Sequence, residues 1–431
     1  MNWALLVFFL CFVATFLLRI PIGPGMLMSS IFYFLLAPGP AKGVGMMANQ
    51  FLMNLNTHFI LIAVPLFIFT ANVMNSGTVT DMIFNFATGL VGRWKGSLAH
   101  VNVIDSLIFS GMTGSAVADA SGPGLMEITV MRRGGYDPAF ACALTASSAT
   151  IGPVFPPSIP MVFYAMLSGA SIGALFMGGM VPGVLMAAFL MAYVAIVAVR
   201  RNYPIGKRYR PLEFLVYTFK SLPALITPVI LLGGIYTGIV TATEAGALAG
   251  FWALVISAFV YRVLGWKTLW KILVDTVKTI GIVTIIVGAS YCYAYIVAIE
   301  RIPDVFARIM LGITQNKYVF LLIVNGLFLL LGMFLDVMTI TLVFIPMVLP
   351  LVETLGIDLV HFGVVIVLNM MIGLLTPPFG ALLFIVSGVS GTPIKSIIKE
   401  TVPMIIALVC VLFLITYVPE VVLFVPRLFG Q

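Results

Sequence analysis

Gly152-Pro153-Val154-Phe155-Pro156-Pro157-Ser158 interrupts an apolar stretch, and 221 residues further on Gly373-Leu374-Leu375-Thr376-Pro377-Pro378-Phe379-Gly380 does the same. The offset holds without a gap upstream: Gly111-Met112 returns as Gly332-Met333, Met126 as Met347, and Gly135 and Asp137 as Gly356 and Asp358. The chain therefore contains two copies of one unit. Each ends in a Gly/Pro break inside apolar sequence, the pattern expected where discontinuous helices from two repeats meet at a membrane midplane.

Composition sets the solvent. With 61% hydrophobic and 9% charged residues, too little polar surface exists to coat a water-soluble globule. At ~20 residues per crossing, apolar segments near 2–18, 21–37, 50–73, 138–173 (broken), 178–199, 222–239, 245–264, 279–298, 360–390 (broken) and 401–425 read as membrane helices. Irregular backbone facing lipid would leave polar groups unpaired, so these spans are expected to be helical, with breaks only where protein or water covers them. The first segment lacks a preceding basic region and is followed by Arg19, which points to an uncleaved helix rather than a secretory signal. Cys11, Cys142, Cys292 and Cys410 lack paired spacing, so neither a disulfide framework nor a metal cluster is expected.

The net charge of +7 reads as topology rather than as a nucleic-acid partner, with the basic residues expected in loops between spans. Arg200, Arg201, Lys207, Arg208, Arg210 and Lys220 crowd one connection and Arg262, Lys267, Lys271 and Lys278 another, which places both in the cytoplasm and the 299–317 connection outside. At the same offset Arg132 corresponds to Glu353 and Arg133 to Thr354, the charge difference that oppositely oriented units predict. Both termini then fall on the outer face. The resulting expectation is an all-α polytopic membrane protein with two inverted repeats, each with a re-entrant helical hairpin and a broken helix. Its divisions are N-terminal scaffold helices (1–75), a first repeat (76–199; hairpin about 98–131, broken helix about 138–173), a basic connection with central scaffold helices (200–298), a second repeat (299–400; hairpin about 318–351, broken helix about 360–390) and a C-terminal helix (401–431).

Each hairpin reads as apolar limbs around a polar or small-residue tip, Ser110 to Gly124 in the first copy and Gly332 to Thr341 in the second. Prolines in the breaks remove backbone donors and free carbonyls one turn earlier. Asp336 aligns with Ser115. A carboxylate at a helix centre costs ~2.5–3.5 kcal/mol on insertion scales, so Asp336 is expected to mark an ion or substrate pathway. The alternative is a helix end at the interface, where the carboxylate would cost little. Backbone carbonyls and hydroxyls at helix breaks suit a hard cation, and sodium is the ion expected. One site would combine Ser110, Gly111, Gly114 and Ser115 with Gly152, Val154 and Pro156, and the other Gly332, Asp336 and Thr339 with Gly373, Leu375 and Thr376. Candidate substrate contacts are Ser115, Asp336, Ser158 and Thr376. A proton-coupled alternative would need buried titratable relays, for which Asp119 and Asp336 are the candidates.

The remaining polar residues carry less. His58, His100 and His361 lie far apart and read as satisfied or interfacial, while Asp137 and Asp358 follow Gly-X turns and read as caps. Gly234 with Gly238, and Gly246 with Gly250, have the spacing of closely packed scaffold helices. Neither HExxH nor GxSxG occurs, so no intramembrane enzyme is expected. A passive channel would share the repeats but could not drive uptake beyond equilibrium.

GMTGSAVADASGPGLM from Gly111, RRGGYDPAFACALTASSATIGPVFPPSIP from Arg132 and the later NMMIGLLTPPFG from Asn369 resemble the large membrane subunit of tripartite ATP-independent periplasmic (TRAP) transporters, over nearly the whole chain. The resemblance implies a bacterial inner-membrane transporter of organic acids driven by a sodium gradient. It also implies a separate small four-helix membrane subunit, a periplasmic substrate-binding protein, and an elevator mechanism in which hairpins and broken helices move against a scaffold. It supports Ser115 and Asp336 near substrate or ion and the two breaks as sodium-binding segments. The likeness is greatest to sialic acid systems; C4-dicarboxylate and other acids stay open as substrates.

Overall fold

The computed structural model describes residues 3–18, 20–37, 43–57, 59–75, 77–206 and 209–430, so Arg19, His58, Lys207 and Arg208 lie outside the described residues. Among the described residues the protein is helical without a strand; one isolated bridge joins Lys95 to Ile205. Among the described residues, six helices are long and apolar enough to cross a bilayer: Ile172–Arg200, Pro211–Tyr236, Ala242–Val260, Trp266–Ile299, Val337–Thr354 and Ile394–Tyr417. Other apolar helices are shorter, because several are halves of interrupted spans. The fold is that of an all-α, multi-pass membrane protein.

Two half-helices occupy the centre. From Phe140 to the end of Pro138–Ala149 every residue is buried, as is every residue from His361 to the end of Leu359–Gly373. A helix without a polar face belongs in an interior. Both start in the same way: Asp137 accepts from the backbone N–H of Ala139 at 2.8 Å and of Phe140 at 3.0 Å, and Asp358 accepts from that of His361 at 2.9 Å. These are the caps read from the sequence. Gly135 and Gly356, just before them, adopt φ of 83° and 63°, a left-handed backbone that favours glycine.

Each half-helix ends at its break, and a hairpin tip rests on it. The first hairpin is Ser97–Thr113, then Gly114-Ser115, then Ala116–Ser121 and Pro123–Arg133. A Cβ on Gly114 would come within 2.5 Å of the Pro157 carbonyl oxygen. The second hairpin is Lys317–Gly332 and Val337–Thr354. There a Cβ on Gly373 would lie 2.6 Å from the Gly332 Cα. The halves then cross over: Ile159–Ser168, which follows the first break, packs on Val337–Thr354, and Ala381–Ser390, which follows the second, packs on Ala116–Ser121 and Pro138–Ala149.

Several expected boundaries shift. The crossing read at 50–73 divides into Val44–Thr57, a 3-10 turn Phe59–Ile62 and Ala63–Met74, because Pro65 has no N–H with which to continue the ladder. Trp266–Ile299 starts well before residue 279 and takes in Lys267, Lys271 and Lys278, while Lys220 lies on Pro211–Tyr236. These four lysines sit on exposed helix faces rather than in loops, where long stems carry the ammonium groups toward the interface. The 299–317 connection contains the helix Ile302–Ile313, which has no buried residue. Gly246 and Gly250 do allow close packing, against Phe67 and Thr70 of Ala63–Met74. Gly238 instead ends a helix, with φ of 69°.

Replacing Gly373 with alanine forces a Cβ into the Gly332 backbone and should cost roughly 1–3 kcal/mol, as overpacking does. Gly388, with open space around its missing Cβ, should accept alanine without loss. Thermal unfolding of the two purified variants against the parent checks the contrast.

Candidate functional site

The crossover brings the two tips together around one cavity of about 200 Å³. Its wall includes Gly114, Ser115, Pro153 and Ile159 from the first copy and Asp336, Val337 and Leu374 from the second. Of all its lining residues, Ser115 and Asp336 are the ones with polar side chains. Two larger hollows, about 410 and 540 Å³, are walled almost wholly by apolar side chains and suit lipid rather than a polar ligand.

Ser115 and Asp336 hold equivalent posts. Ser115 caps Ala116–Ser121, accepting from the Ala118 N–H at 3.4 Å, and Asp336 caps Val337–Thr354, accepting from the Thr339 N–H at 3.1 Å and from the Thr339 hydroxyl. Both are half-buried. A helix start leaves backbone donors unpaired, so a short side-chain acceptor is favoured at this position in both copies. The difference between a hydroxyl and a carboxylate gives the two sides of the cavity different charge. Among the described residues no cationic side chain pairs with Asp336; the ion pair found joins Arg201 to Glu400 at 2.8 Å.

The other expected site residues divide by place. Gly152 approaches the first tip, where a Cβ added to it would lie 3.6 Å from the Ser115 carbonyl carbon. Gly332, Gly373 and Thr339 lie at the second tip. Ser110 and Gly111 sit within the helix Ser97–Thr113, before the tip: the Ser110 hydroxyl donates to the Leu107 carbonyl, and Gly111 faces Pro228. The tip itself is much shorter than the Ser110 to Gly124 run. The Val154 carbonyl lies against Gly179 of Ile172–Arg200, and Leu375 is fully buried. Pro156 and Pro157 share a cis peptide bond, as do Pro377 and Pro378. Ser158 and Thr376 do not line the cavity: Ser158 is buried, donating to the Pro153 carbonyl and accepting from the Met161 N–H at 3.2 Å, and the Thr376 hydroxyl donates to the Ile372 carbonyl at 2.7 Å.

Asp119 is buried away from the cavity, beside Asp105 and Glu127, two acids that no motif in the sequence singles out. Their signal in the sequence is a run of polar residues, His100, Asn102, Asp105 and Ser106, within an apolar limb. His361 bonds to the Ile415 carbonyl at 2.8 Å, as a satisfied histidine does, whereas His100 packs edge-on against Trp94 and its buried Nδ1 has no hydrogen-bond partner.

Residues 9–421 match the family model of the tripartite ATP-independent periplasmic transporter, DctM component. The chain is 40% identical to the sialic acid TRAP transporter large permease protein SiaM of Vibrio cholerae, over 95% of each chain. It is 37% identical to the sialic acid TRAP transporter permease protein SiaT of Haemophilus influenzae, over 95% of this chain and 66% of that one. It is 35% identical to the C4-dicarboxylate TRAP transporter large permease protein DctM of Pseudomonas aeruginosa, over 88% and 89%. Among solved structures, the Alcanivorax borkumensis YdaH transporter superposes with a TM-score of 0.62 over 97% of this chain and 98% of that one, at 13% identity, a likeness of fold alone. With the two tips, the two breaks and the family match over nearly the full length in agreement, the chain belongs to the TRAP transporter family as a large permease subunit, a transport protein and not an enzyme.

Proposed function

We propose that this subunit carries an organic carboxylate, with sialic acid the best candidate, into the cell together with sodium. One observation supports the reading above others: Ser115 and Asp336, from equivalent posts in the two copies, face one cavity. The starts of Ile159–Ser168 and Val337–Thr354 lie at the same cavity, and positive helix ends favour a substrate carboxylate. Asp336 opposes that carboxylate. Two like charges about 4 Å apart repel by roughly 4 kcal/mol at an effective dielectric near 20. A cation held with the acid removes the conflict, which is a physical reason for coupling the two. Ser115 and Asp336 supply oxygens of the kind a hard cation prefers, and the buried Thr339 hydroxyl holds Asp336 from behind. The named substrates of the sialic acid relatives favour that acid over a C4-dicarboxylate.

The cavity is smaller than the roughly 300–1,000 Å³ of pockets that enclose drug-sized ligands. Loading a sugar acid therefore requires the tips and breaks to part from one another, and the elevator mechanism implied by the family resemblance adds movement of the whole set against a scaffold. In this reading the subunit sits in the bacterial inner membrane, pairs with a small four-helix membrane subunit and receives substrate from a periplasmic binding protein. Inward movement of excess sodium gains ~2.3 kcal/mol per net charge per 100 mV and drives accumulation of the anion.

Proteoliposomes containing both membrane subunits and supplied with binding protein and sialic acid test the proposal. Uptake is expected above equilibrium while a sodium gradient stands; uptake indifferent to collapse of that gradient refutes the coupling. Asp336→Ala should abolish uptake while assembly with the small subunit persists, and wild-type rates would remove Asp336 from the mechanism. Ser115→Ala removes one neutral oxygen and should weaken the apparent sodium or substrate affinity by about tenfold, on the order of 1 kcal/mol. An unchanged titration would count against Ser115.

A further inference from the structure

The first hairpin buries three carboxyl groups that the cavity does not use. Asp105 on Ser97–Thr113, Asp119 on Ala116–Ser121 and Glu127 on Pro123–Arg133 are 0%, 3% and 2% exposed. The Asp105 and Glu127 carboxyls lie within hydrogen-bonding reach of each other, with Asp119 close by. The nearby donors are already committed. Asn102 gives its N–H groups to Glu127 and to the Thr145 hydroxyl oxygen, the latter at 2.9 Å, and the Ser148 hydroxyl donates to Asn102 at 2.9 Å. The Ser106 hydroxyl serves Ser148, at 3.1 Å, or Asp119. Both Asp105 oxygens, Asp119 Oδ2 and Glu127 Oε1 are left without a donor.

No cation offsets these groups among the described residues. His100, on the same limb, packs on Trp94. At the hairpin exit Arg132 and Arg133 are exposed, and Arg132 donates to the Ser390 carbonyl. Of the helices packed against the hairpin, Ala63–Met74 and Ala381–Ser390 contain no titratable side chain. Asp81 on Gly77–Val91, Arg200 on Ile172–Arg200, and Glu213 and Lys220 on Pro211–Tyr236 are exposed. Cys142 on Pro138–Ala149 lies against Ser390 and Thr392, Tyr193 near Arg201 and Glu400, Tyr217 against Tyr209, and Tyr236 against Phe429. Nor do three acidic, His or Cys side chains converge as metal ligands among the described residues.

The second copy folds without this cluster. At the 221 offset Asn102, Asp105, Asp119, Glu127 and Thr145 become Ile323, Gly326, Ile340, Val348 and Ile366, and the last three are fully packed apolar residues. A hairpin of this shape therefore does not need buried acids, and three like charges in one buried site cannot all ionise. We propose that Asp105, Asp119 and Glu127 form a proton-binding site inside the first hairpin, with one proton bridging Asp105 and Glu127, and that its occupancy holds the hairpin against Pro138–Ala149. The bound protons are the donors that these oxygens otherwise lack. The site is independent of the coupling ion and of the identity of the substrate.

Infrared spectroscopy of the full-length chain in detergent, with isotope-labelled Asp and Glu carboxyls, reads the proposal directly. At neutral pH a carboxylic acid C=O band is expected, diminished by Glu127→Gln and lost in the D105N/D119N/E127Q variant. Unfolding at neutral pH should release protons from the wild type, because freed carboxyls ionise in water, and fewer from the triple variant. The native state then binds more protons than the unfolded one, so the wild-type Tm falls as pH rises and the variant's falls less. Absence of the acid band in the wild type overturns the proposal. So does its displacement by sodium or calcium chloride at constant pH, which makes the occupant a metal ion. The labelled wild type decides the matter even where the triple variant fails to fold.

Discussion

Main chain resting on main chain is the contact from which the rest of this architecture follows. Gly332 lies against Gly373, and Gly114 against the Pro157 carbonyl, with no side chain between. Such contact seats each hairpin on the end of a central half-helix. It also fixes where Ser115 and Asp336 emerge, since each is the first residue past its turn and caps the helix that follows. The crossing of Ile159–Ser168 and Ala381–Ser390 onto the opposite hairpin closes the remaining sides. A cavity between two tips is the consequence.

The two copies share their backbone devices and differ in charge. Left-handed Gly135 and Gly356, caps at Asp137 and Asp358, and proline-rich breaks recur. At the tip a hydroxyl faces a carboxylate. Inside the hairpin, acids, amides and hydroxyls of the first copy give way to isoleucine, valine and glycine in the second. One fold thus supports two electrostatic environments, because shape is set by glycine, proline and caps while charge is set by positions that the shape leaves free. In the proposed function, that asymmetry is what would let an anion and a cation sit side by side.

Much of the architecture could be read from the chain. The repeat, the breaks and the helical character of the spans followed from composition and the 221 offset, since lipid leaves the backbone few alternatives. Helix ends were less legible. Trp266–Ile299 runs through three lysines that look like loop residues, because a long stem lets a charged side chain ride on a helix at the interface. The tip was read too broadly for a related reason: Ser110 and Gly111 are small and polar, yet the Ser110 hydroxyl bonds within its own helix and Gly111 accommodates Pro228.

By itself the sequence determined the solvent, the helical class, the duplication and the positions of the breaks, all of which depend on local hydropathy and on the backbone limits of glycine and proline. The tertiary structure alone decided which polar groups meet. Ser115 and Asp336 come together on one cavity, Ser158 and Thr376 turn to local carbonyls, and Asp105 joins Asp119 and Glu127 across a folded hairpin. Convergence of that kind depends on how helices distant along the chain are aimed in space, and no spacing of residues along one strand of sequence encodes an aim.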